Sequence, residues 1–315
     1  MSHPLAFLFP GQGAQAVGMG RALVEQFPVA ADVFAEADAA LGFPLSTLCF
    51  EGPEEELKLT TNAQPAILTT SIAALRVLMQ ASDVQPVCVA GHSLGEYSAL
   101  VAAGALDFAD AVRIVRERGR LMQKAVPPGI GAMAAFFGLS QETVGEVCAE
   151  AAQGEVVSAA NLNGGEQIVV AGHTGAVQRA VVIAKARSAK RAVELAVSAP
   201  FHCALMAPAA EGLAKVLEPI PVSPPTIRLI ANVTAEVNQD AQQVKDLLVR
   251  QVTAPVRWEE SMQRVRGLGC GAAVELGPGR VLAGLLKRIY RKFPCVSVSD
   301  PDSLTKSLEF VQNDD

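Results

Sequence analysis

The sequence predicts an α/β protein built on a mostly parallel sheet. Short apolar runs recur along the chain, and each is followed by glycine, asparagine or proline and later by a stretch with helical periodicity. Near-continuous apolar strands that alternate with helices are typical of a parallel sheet covered on both faces. The chain has 315 residues, of which 50% are hydrophobic, so it can bury a large core.

The main sheet is predicted from four apolar runs, which are LAFLF (5–9), PVCVA (86–90), TIRLIA (226–231) and AAVEL (272–276). Between them, helical periodicity predicts two long helices, NAQPAILTTSIAALRVLMQA (62–81) and DFADAVRIVRERGRLMQKAV (107–126). Asn62 is the expected N-cap of the first helix, with Pro65 near its first turn, because asparagine is a favoured N-cap and proline is tolerated at a helix start.

The pattern changes between about residues 130 and 196. There it predicts a strand, a helix, two paired strands, a helix and a strand, at AMAAFFGL (132–139), SQETVGEVCAEAA (140–152), EVVSAAN (155–161), EQIVVAG (166–172), TGAVQRAVVIAKAR (174–187) and AKRAVELAV (189–197). This order is that of the split βαβ, ferredoxin-like unit. We therefore expect a ferredoxin-like small domain at 128–196, inserted into a large α/β domain formed by 1–127 and 197–315.

Composition argues against several classes of function. The net charge of −6 gives no basic footprint for nucleic acid or an anionic membrane, and no apolar run is long enough to span a bilayer. The six cysteines include no CxxC pair, so neither a metal cluster nor a disulfide framework is indicated. The N-terminal apolar run is short and lacks the basic start of a signal peptide. We expect a cytoplasmic protein with reduced thiols.

The segment CVAGHSLGEYSAL (88–100) places Ser93 between Gly91 and Gly95. A G-x-S-x-G sequence between a strand and a helix is typical of a nucleophile elbow, in which the turn is so sharp that a Cβ on either glycine would clash. The helix N-terminus favours developing negative charge, and the Leu94 N–H could serve an oxyanion. The structural alternative is an N-capping serine on a glycine-rich turn.

A serine nucleophile needs a general base, and the chain has four histidines. His3 lies near the chain start, and His92 adjoins Ser93, so a structural hydrogen bond is expected for it. His173 follows a predicted strand and suits a turn or helix cap. By elimination His202, in a proline-containing loop before a helix, is the best candidate base, with a structural role as its alternative.

Arg118 lies on the apolar side of the helix predicted at 107–126. Projected at about 100° per residue, it falls between Val115 and Met122. An unpaired buried guanidinium is very costly, so Arg118 must have a partner. That partner is either a structural carboxylate or the carboxylate of a substrate, which arginine binds through two parallel hydrogen bonds.

A glycine-rich loop, FPGQGAQAVGMG (9–20), follows the first strand and could line an oxyanion hole or hold a phosphate, but it lacks dinucleotide and P-loop spacing. Together the motifs resemble the malonyl-CoA:acyl carrier protein transacylases of fatty acid synthesis and the acyltransferase domains of polyketide synthases. Besides that loop, the matching segments are TTNAQPAI, GHSLGEYSALVAAGAL, RGRLMQ, GAMAA, VSAPFHCALM, NVTA, PVRW and ELGPGRVLAGLLKR. The resemblance implies a hydrolase-like α/β core with a ferredoxin-like insertion.

The resemblance also implies which residues carry the catalytic chemistry. Ser93 would be the nucleophile that takes the acyl group, and His202 would activate it. The backbone N–H groups of Gln12 and Leu94 would form the oxyanion hole.

Four further residues are implied in substrate binding and positioning. Arg118 would hold the free carboxylate of the malonyl group. The backbone carbonyl of Gln251 would orient His202 in place of an acidic triad member. Met122 and Asn161 match positions that line the acyl pocket.

The implied reaction moves malonyl from coenzyme A to serine and then to the phosphopantetheine thiol of acyl carrier protein, with no metal and no organic cofactor. Malonyl-CoA and acyl carrier protein are the expected partners, without nucleic acid or membrane, and a monomer is expected. One alternative is an acyltransferase that supplies a polyketide synthase. Another is a serine hydrolase of the esterase or patatin type, which would normally need an acidic partner and has no use for a buried arginine.

Two basic clusters are candidate docking sites for the carrier protein, which is usually acidic. They are Lys185, Arg187, Lys190 and Arg191, and Lys287, Arg288, Arg291 and Lys292. An ordinary solvated face is the alternative for both clusters.

Overall fold

The computed structural model describes residues 4–195, 197 and 199–312. His3 lies outside the described residues. Residues 196 and 198, beside the predicted domain boundary, also lie outside them. The strands, in chain order, are β1 (Leu5–Phe9), β2 (Cys88–Gly91), β3 (Gly131–Phe137), β4 (Val157–Gly164), β5 (Gln167–His173), β6 (Arg191–Glu194), β7 (Arg228–Ile230), β8 (Val237–Asn238), β9 (Ala272–Leu276) and β10 (Cys295–Val298).

The helices occupy the connections between strands and the C-terminal end of the described chain. They are α1 (Arg21–Gln26), α2 (Pro28–Leu41), α3 (Leu45–Glu51), α4 (Glu54–Lys58), α5 (Thr60–Ala81), α6 (Gly95–Ala102), α7 (Phe108–Ala125), α8 (Gln141–Ala152), α9 (Thr174–Ala186), α10 (Ala207–Leu217), α11 (Ala241–Gln251), α12 (Trp258–Gly267), α13 (Val281–Ile289) and α14 (Pro301–Gln312), with a 3₁₀ turn at Ala204–Met206. Within the described residues, none of these helices is both long and apolar enough to cross a bilayer.

The main sheet has six strands in the order β10–β9–β1–β2–β7–β8. The first five are parallel to one another, and only β8 runs antiparallel to its neighbour. Alternate residues of β1 enter two different cores, because Phe7 packs with the helices on one face and Leu8 with those on the other. This arrangement confirms the α/β class with a mostly parallel, doubly covered sheet.

The long helices agree with the prediction in position, and one of them begins differently. Helix α7 begins after Asp107, whose side chain accepts a hydrogen bond from the Asp110 N–H. Helix α5 begins at Thr60, so Asn62 is not its N-cap and Pro65 lies inside the helix. The Asn62 side chain instead donates to the Glu56 carbonyl, satisfying the C-terminal end of α4.

The second sheet is antiparallel, with strand order β4–β5–β3–β6. Strand β4 extends to Gly164, so the turn between the paired strands is at 165–166 rather than at LNGG. Helices α8 and α9 cover one face of this sheet. The other face, with Met133 and Val169, joins the main hydrophobic core.

All four strands of the second sheet fall within 128–196, and the βαββαβ order gives the strand arrangement of a ferredoxin-like unit. Its connection to the rest of the chain includes main-chain pairing, because the Leu162 N–H donates to the Val256 carbonyl and the Val256 N–H donates to the Ala160 carbonyl. The division into domains at 1–127, 128–196 and 197–315 stays a prediction.

Candidate active site

Ser93 lies at the turn between β2 and α6, with φ at +52°. A Cβ on Gly91 would lie 1.9 Å from the carbonyl of Gly95, and a Cβ on Gly95 would lie 2.0 Å from the Phe9 oxygen. No L side chain fits at those separations. The steric explanation for the two glycines is therefore confirmed, and Ser93 is half-buried at a strained corner.

Asn232, which follows β7, holds both sides of this corner. Its Oδ1 accepts from the Ser93 N–H at 2.7 Å, and its Nδ2 donates to the Gly91 carbonyl at 2.7 Å. The residue is fully buried, so these bonds do not compete with water. Sequence reasoning did not assign Asn232 a role, although the NVTA segment that contains it was part of the resemblance.

His202 meets Ser93 from the loop after the second sheet. Its Nε2 lies 2.7 Å from Ser93 Oγ, and its Nδ1 lies 2.8 Å from the Gln251 carbonyl oxygen. Because a carbonyl only accepts, Nδ1 carries the proton and Nε2 is left to accept from the serine hydroxyl. Burial, followed by the nearby Arg118 charge, lowers the pKa of His202 to about 3, so the ring is neutral.

The other two described histidines have structural positions, as predicted. His92 Nε2 lies 2.9 Å from Asn163 Oδ1, and its ring is 5.4 Å from that of Trp258. His173 is the N-cap residue of α9, and its Nδ1 accepts from the Val156 N–H at 2.9 Å. Neither hydrogen bond involves Ser93.

Arg118 is 2% exposed, and its guanidinium reaches the Ser93 side chain. Its Nη2 donates to Ser93 Oγ at 3.1 Å and to Gln251 Oε1 at 2.9 Å, while Nη1 donates to Gln64 Oε1 at 2.7 Å. Its Nε has no hydrogen-bond partner. Within the described chain Arg118 forms no salt bridge with a carboxylate, so the structural ion pair considered as its alternative is not present.

Gln251, at the end of α11, links the base to the guanidinium. Its backbone oxygen accepts from His202, and its side-chain Oε1 accepts from Arg118. Its Nε2 donates to the Ser93 carbonyl at 3.0 Å and to Glu96 Oε2 at 2.7 Å. The side-chain contacts were not foreseen, because the resemblance pointed only to the Gln251 carbonyl.

Two groups implied in the oxyanion hole are available. Among the described residues, the backbone N–H groups of Gln12 and Leu94 donate to no protein acceptor. Gln12 also lines a cavity of about 430 Å³ together with Asn161 and with Phe201, the neighbour of His202. Met122 does not line this cavity; its Sδ lies 3.8 Å from Gln64 Nε2, so its place in an acyl pocket stays a prediction.

The elbow serine, the neutral histidine beside it and the buried guanidinium have the geometry that serine-dependent acyl transfer requires. The chain matches the family described as "Acyl transferase domain" over residues 6–305. It is 48% identical to the malonyl CoA-acyl carrier protein transacylase of Escherichia coli (strain K12) over 304 residues, which cover 96% of this chain and 98% of that relative.

Solved structures agree with the sequence comparison. The malonyl CoA-acyl carrier protein transacylase of Coxiella burnetii superposes with a TM-score of 0.97 at 40% identity, covering 99% of this chain and 98% of that one. A malonyl-transacylase solved in complex with a type II polyketide synthase acyl-carrier protein has a TM-score of 0.95 at 48% identity, covering 98% and 99%. The chain belongs to the acyl transferase family, among the malonyl CoA-acyl carrier protein transacylases.

Proposed function

We propose that this protein is a malonyl-CoA:acyl carrier protein transacylase of fatty acid biosynthesis and that it works through an acyl-Ser93 intermediate. The observation that carries the proposal is a buried Arg118 that forms no salt bridge within the described chain, 3.1 Å from the candidate nucleophile. A buried cation with unused donors beside a serine nucleophile suits an acyl group that ends in a carboxylate. A hydrolase of simple esters has no need of it.

In the first half-reaction Ser93 Oγ attacks the thioester carbonyl of malonyl-CoA and passes its proton to His202 Nε2. The Gln12 and Leu94 N–H groups stabilise the oxyanion of the tetrahedral intermediate. The thiolate of coenzyme A leaves and takes the proton from His202, so the products are malonyl-Ser93 and free coenzyme A. The Gln251 carbonyl holds the imidazole in the required tautomer throughout.

The second half-reaction runs the same steps in reverse with another thiol. The phosphopantetheine thiol of acyl carrier protein gives its proton to His202 and attacks the malonyl-Ser93 ester. Collapse of the intermediate returns the proton to Ser93 Oγ and leaves malonyl on the carrier. Coenzyme A enters only as the thioester substrate, and these steps call on no organic cofactor or metal.

The malonyl group is proposed to be held at Arg118. Arginine carries five N–H donors, and three are used in the free protein. The substrate carboxylate would take the remaining donors and replace the contact to Ser93 Oγ. The serine hydroxyl would then be free to turn toward the thioester.

The test is intact-protein mass spectrometry after exposure to a panel of acyl-CoA thioesters. Malonyl-CoA is expected to add one malonyl group to the wild-type protein and none to Ser93→Ala. Acetyl-CoA is expected to label Ser93 much more slowly. Hydrolysis of simple esters without a stable acyl-enzyme would instead favour the serine hydrolase.

Supply of a polyketide synthase is a second candidate, favoured by the 48% identity to the malonyl-transacylase solved with a polyketide carrier. The two pathways use the same chemistry and differ in the carrier. Comparison of malonyl transfer to a fatty acid carrier and to a type II polyketide carrier distinguishes them. The preferred carrier is the one with the higher kcat/KM.

The carrier is proposed to dock on a surface that we call the carrier patch, formed by Arg191, Lys287, Arg288, Arg291 and Lys292. Within the described chain these five cations form no salt bridge, and Arg191 and Arg288 both lie over the Phe137 ring, at 6.0 and 5.9 Å. The patch joins Arg191 of the first predicted cluster to the whole of the second. In the rest of the first cluster, by contrast, Arg187 pairs with Glu146 and Glu150, and Lys190 pairs with Glu166. Balanced charge gives little attraction for an acidic partner.

The protein is further proposed to act as a monomer in the cytoplasm, without a nucleic-acid or membrane partner. Its net charge of −6 makes a local basic patch the relevant feature for an acidic carrier. Size-exclusion chromatography with light scattering tests the monomer.

A further inference from the structure

Glu96 is a buried carboxyl that the reaction steps above do not use. It lies in the first turn of α6, three residues after the nucleophile, and is 2% exposed. Its Oε2 accepts two hydrogen bonds, from the Asn232 N–H at 3.0 Å and from Gln251 Nε2 at 2.7 Å. A buried carboxyl held this close to Ser93 needs an explanation, because burial of a charged group is costly even when hydrogen bonds offset part of the cost.

The position of Glu96 decides which way the Gln251 amide faces. A glutamine amide has one accepting end and one donating end. Glu96 Oε2 and the Ser93 carbonyl both accept and lie on the same side of the amide, so that side must carry Nε2. The accepting Oε1 is then forced to face Arg118, 2.9 Å from Nη2.

Without Glu96, the Gln251 amide would lose the 2.7 Å hydrogen bond from Nε2 that holds it in that orientation. Turned over, Gln251 would present its own N–H groups to a guanidinium that can only donate. Arg118 would then lose one of its two side-chain amide anchors, the other being Gln64. The guanidinium would move away from the position in which it reaches the neighbourhood of Ser93.

Charge adds to this geometric effect. Burial raises the pKa of the Glu96 carboxyl to about 7, although the hydrogen bonds from Asn232 and Gln251 and the Arg118 cation each lower it. When it is ionised, the carboxyl balances part of the buried positive charge of Arg118. Other described groups near this pair are Tyr97, whose ring is 5.4 Å from the Arg118 guanidinium, and the neutral His202.

We propose that Glu96 is a positioning residue for acyl-group selection: it fixes the amide of Gln251, and through it the fork of Arg118, in the orientation that receives a substrate carboxylate. This proposal rests on the proposed function. Glu96 acts on the terminal carboxylate of the acyl group and not on the thioester, so its loss should weaken the reaction of malonyl-CoA more than that of acetyl-CoA.

The experiment compares Glu96→Met, Glu96→Asp and Glu96→Gln with the wild type. The rates of Ser93 acylation by malonyl-CoA and by acetyl-CoA are followed by rapid quench and intact mass. Glu96→Met is expected to lower malonyl kcat/KM by about 10- to 100-fold, mainly through a higher KM, and acetyl kcat/KM by less than about threefold. Glu96→Gln can still accept both hydrogen bonds and is expected to keep the malonyl rate within about threefold of wild type.

Glu96→Asp provides a second test in case the Glu96→Met protein fails to fold. It keeps the charge but is too short to reach both donors, so an intermediate loss for malonyl alone is expected. Glu275→Met is the matched control, because Glu275 is also a buried carboxyl that accepts from backbone N–H groups, in this case those of Leu282 and Ala283 at the start of α13. This control is expected to change the two acylation rates by the same factor.

Equal losses for malonyl and acetyl in the folded Glu96 variants would overturn the proposal, and so would an unchanged malonyl KM in both Glu96→Met and Glu96→Asp. Failure of the proposed function gives a different result: the wild-type protein itself would then show no malonyl-Ser93. The two failures are thus distinguishable in one data set.

Discussion

Ser93 and His202, the two residues that meet at the candidate site, both have left-handed backbone conformations, with φ at +52° and +60°. Such conformations cost on the order of 1–3 kcal/mol each in a non-glycine residue, so surrounding contacts must hold them. For Ser93 they are the Asn232 bonds on both sides of the elbow. For His202 the Gln251 carbonyl, 2.8 Å away, fixes the ring. Pre-organisation of this pair is therefore distributed over buried amides.

Among single residues, Arg118 gives the most specific prediction about which acyl group is accepted. Arg118→Ala removes the partner of the malonyl carboxylate and leaves that carboxylate in a dry site, which costs about 3–5 kcal/mol. Malonyl acylation is therefore expected to fall by at least about 100-fold, while acetyl acylation changes by a few-fold or rises. Arg116→Ala is the control on the same helix, because Arg116 lies over the Phe43 ring, at 4.0 Å, and has no contact with Ser93. A similar loss on both substrates would remove Arg118 from acyl selection.

The pH dependence of acylation follows from His202. Its pKa is lowered to about 3 by burial and by Arg118, so the base stays neutral across the usual assay range. The rate of malonyl acylation is expected to stay flat from pH 8 to pH 5, whereas a histidine with an ordinary pKa would cost roughly 30-fold over that interval. The profile is measured by rapid quench. It is repeated in Glu96→Gln, which removes the nearby carboxyl whose pKa is raised to about 7.

An apparent pKa near 6.5 in both proteins would contradict a buried neutral base. A fall in rate with an apparent pKa near 6.5 in the wild type, but not in Glu96→Gln, would assign the titration to Glu96.

Sequence reasoning found Ser93, His202 and Arg118 because each leaves a local signal: a glycine-flanked serine, one histidine remaining after elimination, and a charge on the apolar side of a helix. Glu96 and Gln64 leave no such signal. Each becomes part of the site only through contacts with residues far along the chain, 155 positions away for Glu96 and Gln251. A single sequence contains no record of which distant polar groups meet.

At the scale of elements, the strand–turn–helix corner depends on its two glycines. Gly95→Ala places a Cβ 2.0 Å from the Phe9 backbone oxygen, and the backbone cannot give way there as a flexible side chain could. We expect a loss of acylation of more than about 100-fold, together with a lower Tm, because β1 and the elbow helix must separate. Gly145→Ala in α8 is the control, since nothing lies within 4 Å of its new Cβ. This variant is expected to gain up to about 1 kcal/mol in helix stability. Wild-type activity in Gly95→Ala would show that the corner tolerates a side chain.

The junction between β9 and α13 carries a second buried carboxyl. Glu275 Oε1 and Oε2 accept from the Leu282 and Ala283 N–H groups, and burial raises the pKa of Glu275 to about 7. Because the folded-state pKa lies above the unfolded value, its contribution to stability is present at low pH and is lost as pH rises from about 4.5 to 7. Glu275→Gln removes this titration, so the stability of the variant relative to wild type is expected to improve between pH 5 and pH 8. The effect is a few kcal/mol at most.

Thermal melts of both proteins at each pH give the comparison, and the difference between them cancels the histidine contributions. A relative stability that is constant with pH would contradict the raised pKa.

Elements were predicted well where they are long or apolar and poorly where they are short. Strands β1 and β9 match the predicted bounds, whereas β2 is found at Cys88–Gly91 rather than at 86–90. Strands β8, with two residues, and β10, with four, were not predicted. Pairing with a neighbour rather than local apolar content defines such short strands. The sequence pattern also placed the start of α5 at Asn62, whereas the helix begins at Thr60. Asn62 instead contacts the Glu56 carbonyl, and residue type alone does not reveal that contact.

At the scale of the whole molecule, the second sheet packs into the main hydrophobic core. One of its faces joins the main core, and Asn161 forms a bridge with Val256, five residues after Gln251. Asn161 also lines the cavity that contains Gln12. The second sheet therefore contributes one wall of the cavity that Gln12 lines, and this relation is defined by packing rather than by element order.

Carrier docking is the prediction that belongs to the whole molecule. Lys287→Glu/Arg288→Glu reverses two charges in the carrier patch, and it should weaken encounter with an acidic partner without touching Ser93. We expect the KM for acyl carrier protein to rise at least about tenfold at low ionic strength, and the difference from wild type to shrink with added salt. The rate of Ser93 acylation by malonyl-CoA should stay unchanged.

The matched control for this charge reversal is Lys185→Glu/Arg187→Glu, which makes the same change of charge in the cluster that Glu146 and Glu150 already balance. It is expected to leave the carrier KM within about twofold of wild type, because that surface offers no net attraction to an acidic protein. If both double variants raised the carrier KM equally, overall charge would be responsible. If neither did, the carrier would have to approach by another face.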